Sequence, residues 1–558
     1  MDGSNRPGAP LVNHAHANGT LQDRLMEAKL NHDRVPAHES RGEAGDPWRI
    51  AVVIPGYNRR EDLEKLFVDL GRLDLRGITL WCVLVDNNSP TPLNTIKTPP
   101  HVLVEHYRLN ENTGGAGGFS RGMARVLSGE GVSAQFPPPD FLWLLDSDVR
   151  VARKSLYYLV RTLVKHQNVC AAGSALVDIV SKVTYEIGGR MEPKNGFFVP
   201  AARGDVDKRR IIDAHYLAAC STLVRREAVE KTGLMPDIFI HGDDVEWMLQ
   251  MRKKTGQRIV AVPRSKVGHP LWNRKFQTWV RYYTTRNAYA PIDVMGYGPM
   301  TRFRRALVDV LRAAGQTITG MDELAELHLE GLEDAAACRT VGHHMKGGMG
   351  PIIQSTKVRP YSELADAVRE EMGKFDTNAS LWVHPLMFLR AKDLPGSKQQ
   401  FELLGVKKPA DWKYWHRRSL GSHPKGDIFK AVWRGLTGQH ADVAIIPTGV
   451  PSGWFRGNAL FLLTVDGFQI RRVKSTQRMG KAIGSVIRGM KAAIGCARRP
   501  RTIHDLPKPP ARTTPIPAAW PKAASHAPHA SVAMMMHDHV HTNVYANGRM
   551  PEATGVSR

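Results

Sequence analysis

The feature that most constrains the fold is an alternation. Three short runs rich in β-branched and apolar residues, RIAVVIPGYN (49–58), TLWCVLVDNNSP (79–90) and FLWLLDSDVR (141–150), each pass abruptly into Pro, Gly, Asn or Asp. Stretches with helical spacing, REDLEKLFVDLGRL and GGFSRGMARVL, separate them. Strands alternating with helices predict an α/β fold, a mainly parallel sheet with helices on both faces, whose ligands sit outside the carboxyl ends of the strands. Function is therefore sought at the polar strand ends, and FLWLLDSDVR is the sharpest of them. Phe141 to Leu145 read as a strand buried on both faces, yet the run leads straight into Asp146 and Asp148. Burying a carboxylate without a partner is costly. Capping of the next helix, solvation at the sheet edge and a bound metal ion all remain open as explanations.

Other constellations fall in the same kind of place. In NENTGGAGGFSRG (110–122), Gly114, Gly115, Gly117 and Gly118 remove side chains at a turn that opens a helix. Such a turn lets a backbone approach an anionic ligand at the helix N-terminus, and it equally serves tight packing. It lacks the dinucleotide-binding pattern, since no G-x-G-x-x-G follows the first strand. Further on, GLMPDIFIHGDDVEW (233–247) brings Asp243, Asp244 and Glu246 to the start of a helix, and VGHP places His269 after a short apolar strand. The three acids would complement a helix dipole without any further role, and a single histidine is commonly structural.

In order along the chain, VVIPGYNR, VDNNS, NTGGAGGFSRG, LLDSDV, GLMPDIFIHGDDVEW, VGHP and RYYTTRN resemble the glycosyltransferase family 2 enzymes of GT-A fold, nearest to bacterial galactofuranosyltransferases and rhamnosyltransferase-like members. The resemblance covers about residues 48–290. It implies an inverting glycosyltransferase that uses a nucleoside-diphosphate sugar, UDP-linked or dTDP-linked, and a glycan or lipid-linked glycan acceptor. Carried over residue by residue, it sets Asn58, Arg59 and Asp86 near the nucleotide, and Asn112, Gly114 and Gly115 beside the nucleotide sugar. Asp146, Asp148 and His269 become ligands of a divalent cation, Mn2+ or Mg2+, in keeping with hard carboxylate oxygens and an imidazole. Asp244 becomes the general base, with Asp243 or Glu246 orienting hydroxyls. An inactive nucleotide-sugar-binding member of the family is the nearest alternative reading.

Charge and composition bound the rest. The 558 residues carry a formal charge of +24, which implies an acidic partner. A basic protein that binds nucleic acid or polyphosphate is the second alternative reading, disfavoured because the basic residues are not interleaved with aromatics in a recognisable binding module. Five scattered cysteines form no C-x-x-C pair, which suits a reducing compartment. No run reaches the length of about 20 apolar residues that spans a bilayer, and the first residues lack a signal-peptide core. A cytoplasmic protein is expected. Residues 1–47 and 501–558 read as disordered tails, the latter with a His-rich stretch around His526 and His541. Residues 291–440 read as mainly helical and 441–470 as a small β section. Residues 471–500 read as a basic amphipathic helix, with Ile483, Val486, Ile487, Met490 and Ile494 in one stripe beside Arg478, Lys481, Arg488 and Lys491. Such a helix suits the anionic inner face of the cytoplasmic membrane.

Overall fold

The computed structural model describes residues 46–179, 182–202, 206–207, 210–270, 279–318, 322–339, 381–383, 443–447, 459–464, 467–471 and 479–515. The strands of its main sheet are β1 (Trp48–Gly56), β2 (Ile78–Asp86), β3 (Leu103–Arg108), β4 (Phe141–Leu145), β5 (Arg150–Val151), β6 (Val169–Asp178), β7 (Thr184–Met191), β8 (Phe198–Ala202), β9 (Ile212–Ala214), β10 (Ser221–Arg225) and β11 (Arg258–His269). The helices flanking it are α1 (Arg60–Leu70), α2 (Gly114–Ser128), α3 (Ser155–Lys165), α4 (Arg226–Thr232) and α5 (Asp243–Thr255). The expected α/β architecture, mostly parallel with helices, is what forms.

Strand direction explains how distant sequence reaches one edge. The order is β3-β2-β1-β4-β10-β6-β11-β5. Strands β3, β2, β1 and β4 run parallel. β10 is antiparallel to β4 on one side and to β6 on the other, and two reversals restore the direction of β4 in β6 and in its parallel neighbour β11. Thus Asp86, Asp146 and His269, all at carboxyl ends, share one edge of the sheet. Cys220, immediately before the antiparallel β10, arrives at the same edge.

Phe141 to Leu145 are buried on both faces, each at most 1% exposed. Helix α2 presses on β1 through glycines: a Cβ at Gly118 would lie 2.7 Å from Pro55 Cβ, and one at Gly122 would lie 2.3 Å from Val53 Cγ1. Gly118 thus serves sheet packing and not a ligand. Without that close approach the helix could not cover Val53 and Val85.

Helices α6 (Val280–Arg286), α7 (Tyr289–Val294), α8 (Pro299–Ile318), α9 (Asp322–Ala336) and α10 (Met479–Arg498) follow. Ala482, Ala492, Ala493 and Cys496 bury one side of α10, and its Gly489 abuts Val310 and Leu329. The apolar stripe read from sequence therefore divides. Val486 and Met490 are half-buried, whereas Ile483, Ile487 and Ile494 are 54%, 67% and 42% exposed. Arg488 is tied to Glu326 and Glu333 at 2.6 Å, so it belongs to the bundle; Arg478 lies outside the described residues. A second, four-stranded sheet comprises β12 (Leu381–Val383), β13 (Val443–Pro447), β14 (Ala459–Thr464) and β15 (Gly467–Arg471). β12 falls within the region read as mainly helical.

Residues 501–515 correct the expectation of a disordered tail beginning at 501. They run back over the first domain. Leu234 N–H donates to Pro507 O at 2.8 Å and Thr513 N–H to Ser128 O at 3.0 Å, while Arg512 donates to Phe136 O at 2.8 Å. Pro and Ala content alone could not reveal this, because an extended strap is held by partners far away in sequence. The tail from 516 onward, including the His-rich stretch, and residues 1–45 lie outside the described residues. No helix among the described residues is long and apolar enough to cross a membrane.

Candidate active site

At the shared edge, His269 Nε2 stands 3.8 Å from Asp146 Oδ2 and 3.7 Å from Asp148 Oδ1. These separations exceed hydrogen-bond lengths. Asp148 and His269 side chains are 9% exposed and Asp146 is 36% exposed, so the cluster opens to solvent on the Asp146 side. The other ring nitrogen of His269, Nδ1, bonds the Tyr185 hydroxyl at 2.7 Å. That contact fixes the imidazole so that Nε2 faces the acids, as an outer partner does for a ligating histidine. Tyr185, on β7, was not picked out from the sequence, and nothing local to it marks it. Cys220 completes the group: single ligand atoms of Asp146, Cys220 and His269 all lie within 4.8 Å of one another. Two carboxylates and an imidazole form a donor set that fits a divalent cation.

The acids of α5 reach the same place through a strained loop. Phe239 and His241 take positive φ values of 71° and 63°, uncommon for residues with a Cβ. Asn287 holds the loop, donating through Nδ2 to Ile240 O and His241 O at 2.9 Å each. Arg286 donates to Ile238 O at 2.9 Å. RYYTTRN therefore ends in the clamp of the acid loop, a role the sequence motif did not disclose. The glycine turn meets this loop from the other side. Gly114 has φ +73°, and a Cβ there would fall 2.1 Å from Phe239 O. Its missing side chain makes room for protein, whereas a Cβ at Gly115 would meet, among the described residues, only Ile240, at 3.9 Å.

Asp244 Oδ2 accepts from Ala219 N–H at 3.2 Å and Oδ1 from its neighbour Val245 N–H at 2.8 Å. Asp243 is buried. Burial, then the charges of Asp244 and Asp146, hold its carboxyl well above the usual range. Burial also raises Asp244, against the opposing hydrogen bonds from Ala219 and Val245. Crowded, desolvated carboxylates of this kind are how a site obtains a base active near neutrality. Glu246 differs: fully buried, it accepts from His504 N–H at 2.9 Å and meets His504 Nδ1 at 2.5 Å. The structure gives it to the C-terminal strap and does not bring it to the cluster.

On the β1–β2 side, Asp86 is buried and accepts from Ser89 N–H at 2.8 Å, Leu93 N–H at 3.2 Å and Arg108 at 2.5 Å. Burial pushes its carboxyl up, and these donors outweigh burial to leave it lowered and charged. Asp86 thereby shapes the 87–93 loop. Asn58, at φ +52°, donates its N–H to Ser89 Oγ at 3.0 Å, and Arg59 keeps a side chain 37% exposed, loosely paired to Asp62. Asn112 Oδ1 accepts from Gly114 N–H at 2.9 Å. Asn87 was missed within VDNNS: it donates to Gly114 O at 2.7 Å and accepts from Thr113 N–H at 2.9 Å, joining the strand end to the glycine turn.

Strand ends that gather acids, a histidine and a glycine turn are the outline that the sequence motifs suggested. Residues 51–233 match the family model of Glycosyl transferase family 2. The matched segment takes in Asp86, the glycine turn, Asp146 and Asp148 but ends before Asp243, Asp244 and His269, which the geometry brings to the same place. Among solved structures, the chain is similar to GalNAc-T7 with UDP, GalNAc and Mn2+ at 16% identity and TM-score 0.36, over 58% of this chain and 67% of that one. It is similar to the mannosyltransferase PcManGT from Pyrobaculum calidifontis in complex with GDP-Man and Mn2+ at 14% and 0.32, over 57% and 83%. S. aureus TarS 1-349 aligns at 13% and 0.35, over 52% and 80%. No curated protein matches.

Proposed function

We propose that the chain is a divalent-cation-dependent glycosyltransferase that moves a sugar from a nucleoside-diphosphate donor to a hydroxyl of a glycan or lipid-linked glycan, with inversion. The observation that carries this reading is the convergence of Asp146, Asp148 and His269 beside the perturbed pair Asp243 and Asp244. Asp146, Asp148 and His269 would hold Mn2+ or Mg2+. That ion supplies charge neutralisation for the departing diphosphate. Asp244 takes the proton of the acceptor hydroxyl as it attacks, and its raised pKa matches that duty. Asp243 orients hydroxyls within reach of it. One base suffices for a single displacement, which inverts the anomeric carbon. Asn58, Arg59, Asn112 and Gly115 line the approach for the nucleotide and sugar. UDP is the favoured nucleotide with dTDP the alternative, and a galactofuranose or rhamnose-like sugar is favoured by the order of the motifs.

Nucleotide release from a panel of UDP-, dTDP- and GDP-sugars, with and without Mn2+, tests the reading. Metal-dependent release by the wild type and none by Asp148→Ala is expected, with circular dichroism of the variant unchanged. Release indifferent to EDTA would refute the cation's role.

The same reading puts the enzyme at the inner face of the cytoplasmic membrane. In support, α10 presents Ile483, Ile487 and Ile494 together with exposed Lys481, Lys491 and Arg498. Apolar residues flanked by cations suit an anionic lipid surface. Replacing the three isoleucines by glutamine should abolish salt-sensitive sedimentation with anionic vesicles, and equal sedimentation of both proteins would count against it.

A further inference from the structure

Beside the two acids and the histidine stands a thiol that the transfer reaction does not use. The antiparallel register pairs Ser221 with Leu145, so the next residues outward, Cys220 and Asp146, come opposite each other. Asp146 N–H reaches Cys220 O at 3.4 Å. Cys220 is 4% exposed, and its sulfur shares with Asp146 and His269 a cluster whose ligand atoms lie within 4.8 Å. Tyr185 independently holds His269 with Nε2 turned into that cluster. An oxygen, a nitrogen and a sulfur donor converge there.

We infer that Cys220 gives this site a second coordination mode, in which thiophilic divalent cations such as Zn2+, Co2+ and Cd2+ are held by Asp146, Cys220 and His269. The inference rests on the cation site proposed above and concerns its selectivity. Mn2+ and Mg2+ favour the carboxylates and leave the sulfur aside, whereas Zn2+ readily takes thiolate, imidazole and carboxylate together. As the metal–sulfur bond forms, the thiol proton passes to solvent and no electrons are transferred. Zn2+ bound through three protein donors leaves fewer positions for diphosphate oxygens, so it competes with Mn2+ and inhibits.

Metal-stripped full-length protein is titrated with Co2+. A near-ultraviolet sulfur-to-cobalt charge-transfer band is expected in the wild type, lost in Cys220→Ser although Co2+ still binds, and retained in Cys338→Ser. Mn2+ binding, followed by electron paramagnetic resonance, should persist in Cys220→Ser, while Zn2+ displaces Mn2+ from the wild type at about tenfold lower concentration than from the variant, an effect typical of one ligand's contribution. Zinc X-ray absorption on the wild type alone should show one sulfur at about 2.3 Å, which keeps the test open if the variant fails to fold. Co2+ and Mn2+ binding without a charge-transfer band or a sulfur shell would overturn the thiol mode and leave the cation site standing. Failure of the wild type to bind either ion would remove both.

Discussion

Replacing Asn287 by alanine separates the fold's stability from the site's competence. The side chain makes two good hydrogen bonds, to Ile240 O and His241 O at 2.9 Å, and a longer one to Ile238 O at 3.3 Å. Its loss removes about 1 kcal/mol per good bond and leaves two half-buried carbonyls without this donor, a gross cost of about 2–4 kcal/mol. Strain offsets part of this. Phe239 and His241 hold positive φ, each at a cost of about 1–3 kcal/mol that a freed loop recovers. The two contributions are of similar size, so the net loss is at most about 2 kcal/mol, a fall in Tm of no more than roughly 8 °C. Activity should suffer more. The loop leads directly into Asp243 and Asp244, and a displacement of about 1 Å in a reacting group costs roughly a hundredfold. Donor and Mn2+ affinity should change little, since Asp146, Asp148 and His269 sit at the ends of other strands. Thermal unfolding, Mn2+ titration and steady-state transfer measure the three quantities. An Asn287→Ala protein with wild-type kcat, or one losing Mn2+ affinity in step with kcat, would refute the positioning argument. Asn287→Asp, which keeps the oxygen that accepts from Arg286 at 2.8 Å but loses both donors, should behave like alanine.

Two further outcomes follow from the acids. Asp244→Asn keeps the acceptor oxygen for Ala219 but cannot take a proton, so transfer should fall by roughly 10²–10⁴ while donor binding survives; equal loss of both would make Asp244 a binding residue. In EDTA, Asp243 binds its proton more tightly folded than unfolded, so its contribution to stability is full below the unfolded carboxyl pKa of about 4 and is lost as pH rises through the raised folded value. Urea unfolding across that window should show Asp243→Asn stabilising the metal-free protein most at neutral pH, and a variant no more stable than wild type would contradict the crowding.

Periodicity made the parallel sheet legible, because a buried strand must be apolar along its length and polar where it leaves the core. The same rule exposed Asp146, Asp148 and Asp86. What pattern could not supply was direction and partnership. Nothing in YLAACSTL announces that β10 runs against its neighbours, yet that reversal brings Cys220 opposite Asp146. Three acids in one helical turn looked alike in sequence, and only tertiary contacts separate Asp243 and Asp244 from Glu246. The glycines were similarly degenerate: Gly118 serves packing against Pro55, Gly114 the acid loop, and Gly115 is crowded by none of the described residues.

The separation of Glu246 from its neighbours explains why the C-terminal strap exists as an ordered part of the fold. Helix α5 carries the acids at its first turn and, three residues after Asp243, a fully buried carboxylate. A buried polar group of this kind needs hydrogen-bond partners. His504 provides it through both its backbone N–H and its ring, and Gln250 reaches the carbonyl of the same residue at 2.9 Å. The strap in turn leaves α10 through Arg499, which pairs with buried Asp293 at 3.2 Å alongside Arg302. Asp293 also accepts from Thr502 N–H at 3.0 Å. A continuous series of polar contacts thus joins the helical bundle to the back of the acid helix, while Asn287 and Gly114 fix its front. The placement of Asp244 is set by residues from the glycine turn to position 504, which is why the short acidic motif shows where the acids lie and not how they are held.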